Sequence, residues 1–329
     1  MSKSCVTSLA LCGLVASAAC GKPSWRSQVT AEGLIDRPDG PSLFYRVLGT
    51  GADTAIVLHG GSLHQGYLFD PLADLIEGRT LIFYDQRGRG RSATVTDTAQ
   101  LSFDADVADL EAVRARFKLD RPLVIGHHWG AAVGAIYAAR HPGHVSRLLL
   151  LSPYPVIYSW FYELNAVPAD TAKYRALLAV VRPDITAEQA PEYCRDTWPI
   201  FFSPLRPDVG TPYDAMASAV CDLPADKIVT SQRTTRAVQR SLGQWVFRPE
   251  LNRVEVPTLV IEGSGSPLVA EAATRWAQHL IDARVLLLQP PYLFPWVGDP
   301  TGFREATSAF LAGAWPPRSV RPERWLPPT

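Results

Sequence analysis

The chain has 329 residues, 47% of them hydrophobic and 19% charged, with 32 lysines and arginines against 32 aspartates and glutamates. Balanced charge without a long single-sign block excludes the basic footprint of a nucleic-acid binder or a polybasic membrane surface, and the apolar content excludes disorder as the general state. The expected partner is a small-molecule ligand, with no nucleic acid.

The first twenty residues differ from the rest. Lys3 precedes an uncharged, apolar and small-residue run from Val6 to Ala19, which is the pattern of a secretory signal. The run is too short to span a bilayer untilted, which takes about 20 residues. It ends in Ser17-Ala18-Ala19-Cys20, which resembles the lipobox of bacterial lipoproteins; the resemblance implies lipidation at Cys20 and membrane attachment through that lipid. Ser17 departs from the apolar residue usual there, and the other reading is a plain signal peptide cleaved nearby. Either reading implies an exported chain: an anchored lipoprotein, or a secreted or periplasmic protein. Of the five cysteines, Cys5 and Cys12 lie inside this segment. If Cys20 carries lipid, Cys194 and Cys221 are left, either paired in an oxidising compartment or as two separate buried thiols.

From about Gln28, short apolar runs alternate with helical patterns. The expected strands are Pro41–Leu48, Thr54–His59, Thr80–Asp85, Pro122–Gly126, Arg147–Ser152, Pro257–Gly263 and Ala283–Gln289. The central ones are continuously apolar, as in a mostly parallel sheet with helices on both faces. Ser102–Phe117, Ala131–Arg140, Val269–Ile281 and Pro300–Ala312 read as amphipathic helices. The alternation stops after Ser152 and resumes near Pro257, across a stretch rich in Trp, Tyr and Pro. The expected organisation is therefore a signal segment over 1–20, an α/β core over 21–152 and 257–315, a helical cap inserted at 153–256, and a Pro-rich tail over 316–329. That tail is expected to lie irregularly on the surface.

Three marks fall at strand ends, where open α/β sheets place their ligand sites. They are His59-Gly60-Gly61, Asp85-Gln86-Arg87-Gly88-Arg89-Gly90-Arg91-Ser92, and Gly126-His127-His128-Trp129-Gly130. Their order and spacing resemble the α/β-hydrolase superfamily over nearly the whole chain beyond the signal, and the first two look most like the proline iminopeptidase branch. Ser62-Leu63 replaces the Pro-Gly that usually follows HGG in that branch.

The resemblance implies an α/β-hydrolase fold with a nucleophile elbow at Gly126–Gly130, where the family carries serine at the position of His128. It places the catalytic acid at Ser266 and the catalytic histidine at Leu293, so all three triad positions are substituted. Neither Ser152-Pro153-Tyr154-Pro155, where some relatives keep the acid, nor the stretch after Thr258–Gly263 offers a carboxylate. What the resemblance leaves is an oxyanion hole of backbone N–H groups, those of Gly61 and Trp129.

The expectation is a non-hydrolytic pseudoenzyme that binds a small organic ligand. The alternative is an atypical hydrolase of ester or aminopeptidase-like substrates, or a non-hydrolytic enzyme, using His128 with that hole. His128 itself reads as a pocket-filling plug, a ligand contact, or a nucleophile or base. His127 reads as packing. His59 and the cap aromatics Trp160 and Phe161 are expected to border the pocket, His59 also shaping its loop, while the cap aromatics read equally as packing. The Asp85–Ser92 stretch reads as an ion network bracing a loop. No cofactor is expected, and no histidine pair, His141 and His144 included, has convincing metal-ligand spacing.

Overall fold

The computed structural model describes residues 24–61, 64–159, 185–202, 216, 218–263, 267–289 and 294–324. Eight strands form one sheet: β1 (Val29–Arg37), β2 (Gly40–Leu48), β3 (Asp53–Leu58), β4 (Arg79–Tyr84), β5 (Leu123–His127), β6 (Leu148–Leu151), β7 (Thr258–Gly263) and β8 (Ala283–Leu288). Their spatial order is β1-β2-β4-β3-β5-β6-β7-β8. The β1–β2 and β2–β4 pairs are antiparallel, and every pairing from β4 to β8 is parallel.

The apolar runs become strands because successive residues feed two different cores. Ile56, Ile82, Val124, Leu148, Leu150 and Val260 pack on one face, with α2 (Phe103–Arg116) and α3 (Trp129–Arg140). Val57, Phe83, Ile125, Leu149, Leu151 and Ile261 pack on the other, with α1 (Phe69–Ala73) and Phe303 and Phe310 of the helix Pro300–Leu311. A strand apolar on both sides has no solvent face, so its sequence does not alternate. The helices obey local rules too: Ser102 caps α2 by accepting the Ala105 N–H at 3.1 Å, and Asp299 caps Pro300–Leu311 by accepting that of Gly302 at 2.8 Å.

Two regions depart from the sequence expectation. β1 was not among the expected strands, because only Ile35 of its nine residues is buried and its apolar pattern is therefore faint; it is held by pairing with β2. The C-terminal tail is not irregular throughout: Val320 and Val285 exchange both backbone hydrogen bonds at 2.8 Å, and Trp315 packs against Phe310. The tail thereby covers part of the free edge of β8.

Between β6 and β7 the described chain contains α4 (Ala190–Phe202), α5 (Ala225–Ser241) and α6 (Arg248–Leu251). Helix α5 lies over the loops at the C-terminal strand ends, where its Ser231 hydroxyl accepts the Gly90 N–H at 2.9 Å. Cys194 of α4 and Cys221 form a disulfide, with Cα atoms 5.8 Å apart. Among the described residues, no helix is long and apolar enough to cross a membrane.

Candidate active site

Strand β5 ends at His127 and α3 begins at Trp129, so His128 alone makes the turn, at φ 49° and ψ −109°. A non-glycine residue in such a conformation costs on the order of 1–3 kcal/mol and persists only where its surroundings enforce it. They do so here: the His128 N–H donates to the Leu151 carbonyl at 2.9 Å, and its own carbonyl accepts the Tyr154 N–H at 3.1 Å. The flanking glycines are required by contact. A β-carbon on Gly126 would sit 2.4 Å from the Gly130 carbonyl oxygen, and one on Gly130 2.6 Å from that of His59.

The loop after β3 comes up against this turn. A β-carbon on Gly60 would lie 3.3 Å from that of His128, and one on Gly61 3.7 Å from that of Trp129. Among the described residues, neither the Gly61 N–H nor the Trp129 N–H has a hydrogen-bond partner. Two close backbone donors beside the elbow are what an oxyanion hole needs. Thr235 and Gln239 of α5 come within 3.7 and 3.8 Å of the same β-carbon position on Gly61. Nothing in the sequence pointed to them, because they reach the elbow from a helix more than a hundred residues away.

Beneath the elbow lies a closed polar chain. The Trp129 indole donates to Asp106 at 2.9 Å, Arg89 pairs with Asp106 at 3.1 Å and donates to the Gln86 side-chain oxygen at 2.9 Å, and Gln86 donates to the His59 carbonyl at 2.6 Å. Beside it, Asp109 is held by both Arg87 and Arg37. These are the bracing contacts expected of the Asp85–Ser92 stretch. His59 is part of the same frame. The Gln86 N–H can only donate, so His59 Nε2 accepts it at 3.0 Å and Nδ1–H donates to the Gly60 carbonyl at 2.7 Å. Burial, then the nearby Arg89 charge, hold its pKa well below the ordinary range. With no exposed surface and both nitrogens engaged, His59 braces the loop.

The reactive end of the site is built differently. Among the described residues the His128 ring makes no hydrogen bond; it packs edge-on against Tyr154 at 5.0 Å. Loss of hydration pulls its pKa down to about 4, so it is neutral at neutral pH. His127 points elsewhere. Its Nδ1 lies 2.7 Å from the Tyr67 hydroxyl, which also accepts the Gly60 N–H at 2.7 Å. Its ring stacks on Phe294 at 5.1 Å, so packing and loop bracing go together in this residue.

One buried carboxylate close to these strand ends was not among the expected site residues. Glu262, within β7, is 4% exposed, accepts the Ser152 hydroxyl at 2.7 Å and the Gly263 N–H at 3.0 Å, and has its pKa pushed up to about 8 by burial. Ser152 meets it from the end of β6 in a left-handed conformation, φ 42°. A single glutamate in an otherwise apolar, buried strand was the available signal. Away from the elbow, Glu111, His141 and His144 each present a ligand atom within 4.8 Å of the others. Ser266, Leu293, Trp160, Phe161 and Cys20 lie outside the described residues.

The sheet order, the strained elbow and its two flanking glycines define an α/β-hydrolase fold, and a family model described as the alpha/beta hydrolase fold matches residues 54–181. Within that fold the nearer likeness is to proline iminopeptidases. The chain is 35% identical over 123 residues to the proline iminopeptidase of Heyndrickxia coagulans, covering 37% of this chain and 43% of the relative. It is 36% identical over 129 residues to a probable proline iminopeptidase of Streptomyces coelicolor, covering 36% of this chain and 38% of the relative. The chain thus matches less than half the length of these curated relatives.

Among solved structures, the proline iminopeptidase of Mycobacterium smegmatis superposes with a TM-score of 0.64 at 23% identity, over 86% of this chain and 98% of that one. An esterase from Exiguobacterium antarcticum does so with a TM-score of 0.64 at 17% identity, over 86% and 100%. At such identities the likeness is one of fold.

Proposed function

We propose that this chain is a non-hydrolytic descendant of an α/β hydrolase, exported and anchored through Cys20, that binds a small organic ligand at the elbow. The observation that carries the reading is His128: an imidazole occupies the nucleophile's place, neutral, without a carboxylate or second base hydrogen-bonded to it among the described residues. Triad hydrolysis needs a hydroxyl whose proton is taken by an oriented base. By resemblance Ser266 and Leu293 stand at the other two triad positions, and neither side chain can take up a proton in that role. The Gly61 and Trp129 N–H groups support binding of a carbonyl or carboxylate oxygen, which needs no turnover.

A second reading, an enzyme working through His128, is favoured by the same neutral ring, since an unprotonated imidazole is a nucleophile toward activated acyl groups. One experiment separates the two. The purified chain and its His128→Ala variant are assayed on a panel of aryl esters and aminoacyl amides. Background rates from both support the first reading; turnover that disappears in the variant replaces it with the second. Anchoring has a separate test, because a Cys20→Ser protein that still partitions wholly with membranes contradicts it.

A further inference from the structure

Helix α3 carries His128 at its start and His141 immediately after its end, so a second cluster lies about 18 Å along the helix from the elbow at 1.5 Å per residue. There Glu111 of α2 meets His141 and His144, with one ligand atom from each within 4.8 Å of the other two. The two histidines are held by one turn: the His144 N–H donates to the His141 carbonyl at 3.1 Å, across Gly143 at φ 90°. Their rings stack at 5.6 Å, and His144 Nδ1 stands 3.2 Å from Glu111 Oε2.

Arg114 brackets the Glu111 carboxylate at 2.9 and 2.7 Å, and the Tyr137 hydroxyl donates to the same group. Two imidazoles and one carboxylate form a donor set that zinc takes with water in the fourth position. Arg114 and Tyr137 would stand behind the carboxylate and fix its direction, as outer partners do in built metal sites.

We propose that Glu111, His141 and His144 bind one Zn²⁺ ion, closing together by a fraction of their present separation and tying the end of α3 to α2. The competing arrangement is an ion pair in which Arg114 alone answers Glu111. Binding of Zn²⁺ alone decides between them. It is measured against a chromogenic chelator on the full chain without a histidine tag and with Cys5, Cys12 and Cys20 changed to Ser. One equivalent is expected, with affinity weakened at least tenfold in His141→Ala and in His144→Ala. Co²⁺ should give the intense visible band of a four-coordinate site in the parent and lose it in both variants. Both histidines are only partly buried, so the variants should keep the parent's melting temperature in the absence of metal. A parent that binds no equivalent, or either variant binding like the parent, overturns the proposal.

Discussion

The two sides of the elbow are built on opposite principles. Beneath it, Asp106, Arg89, Gln86, His59 and Trp129 form a buried chain of hydrogen bonds around an ion pair. On the other side, His128 and Glu262 have no charged partner among the described residues, and burial drives both toward their neutral forms. The frame is a partnered network of ion pairs and hydrogen bonds, while His128 and Glu262 carry no charge at neutral pH. Frame and chemistry are therefore separable here: the frame's residues also hold the fold together, whereas the residues of the reactive side need only fit.

The largest effect should come from breaking the frame. Asp106→Ala strands the Arg89 guanidinium in the interior, and removing one partner of such a pair costs about 3–5 kcal/mol. Chemical denaturation should show that loss; a cost below about 1 kcal/mol would mean the chain of contacts is ornamental.

The reactive side should show itself through pH. Glu262 has a folded pKa near 8 against an ordinary value of 4.5, so its contribution to stability is complete below 4.5 and is lost as pH rises through 8. The loss is about 5 kcal/mol at the alkaline limit. Glu262→Gln should abolish that alkaline decline in melting temperature while leaving the protein near parental stability at pH 5. His128 runs the other way: its lowered pKa gives stability that is present above about 6.5 and lost as pH falls through 4. His128→Ala should therefore flatten the acid limb only.

The disulfide is independent of both sides. It closes a span of 27 residues, and replacing Cys194 and Cys221 by Ser together should cost about 3 kcal/mol. The same loss should be reached by reductant in the parent and be absent from the double variant.

The smallest expected effect is also the most diagnostic. His128→Ser places a hydroxyl at the strained turn without adding a base, so ester turnover should stay at background. Turnover that appears in this variant would mean that a base lies within reach, and the comparison between an intact frame and an empty chemistry would fail.

Much of this was readable along the chain. The parallel strands announced themselves as continuous apolar runs, the elbow by Gly126 and Gly130, the frame by Asp85–Ser92, and the residue at the turn by His128 itself. β1 was not readable, because one buried side chain in nine leaves almost no pattern. Glu262 was visible as a residue but not as a partner, since Ser152 lies 110 positions earlier.

The sequence by itself determined the fold class, the turn that strains His128 and the absence of a serine from it, because these rest on short-range rules: apolar runs, glycines where a β-carbon would clash, and residue identity. Only the tertiary structure decided which distant groups meet. The sheet order brings Ser152 to Glu262, the packing of α2 on α3 brings Glu111 to His141 and His144, and the path of α5 over the strand ends brings Thr235 and Gln239 to Gly61. Such meetings depend on how distant segments stack, and no local pattern in the chain encodes them.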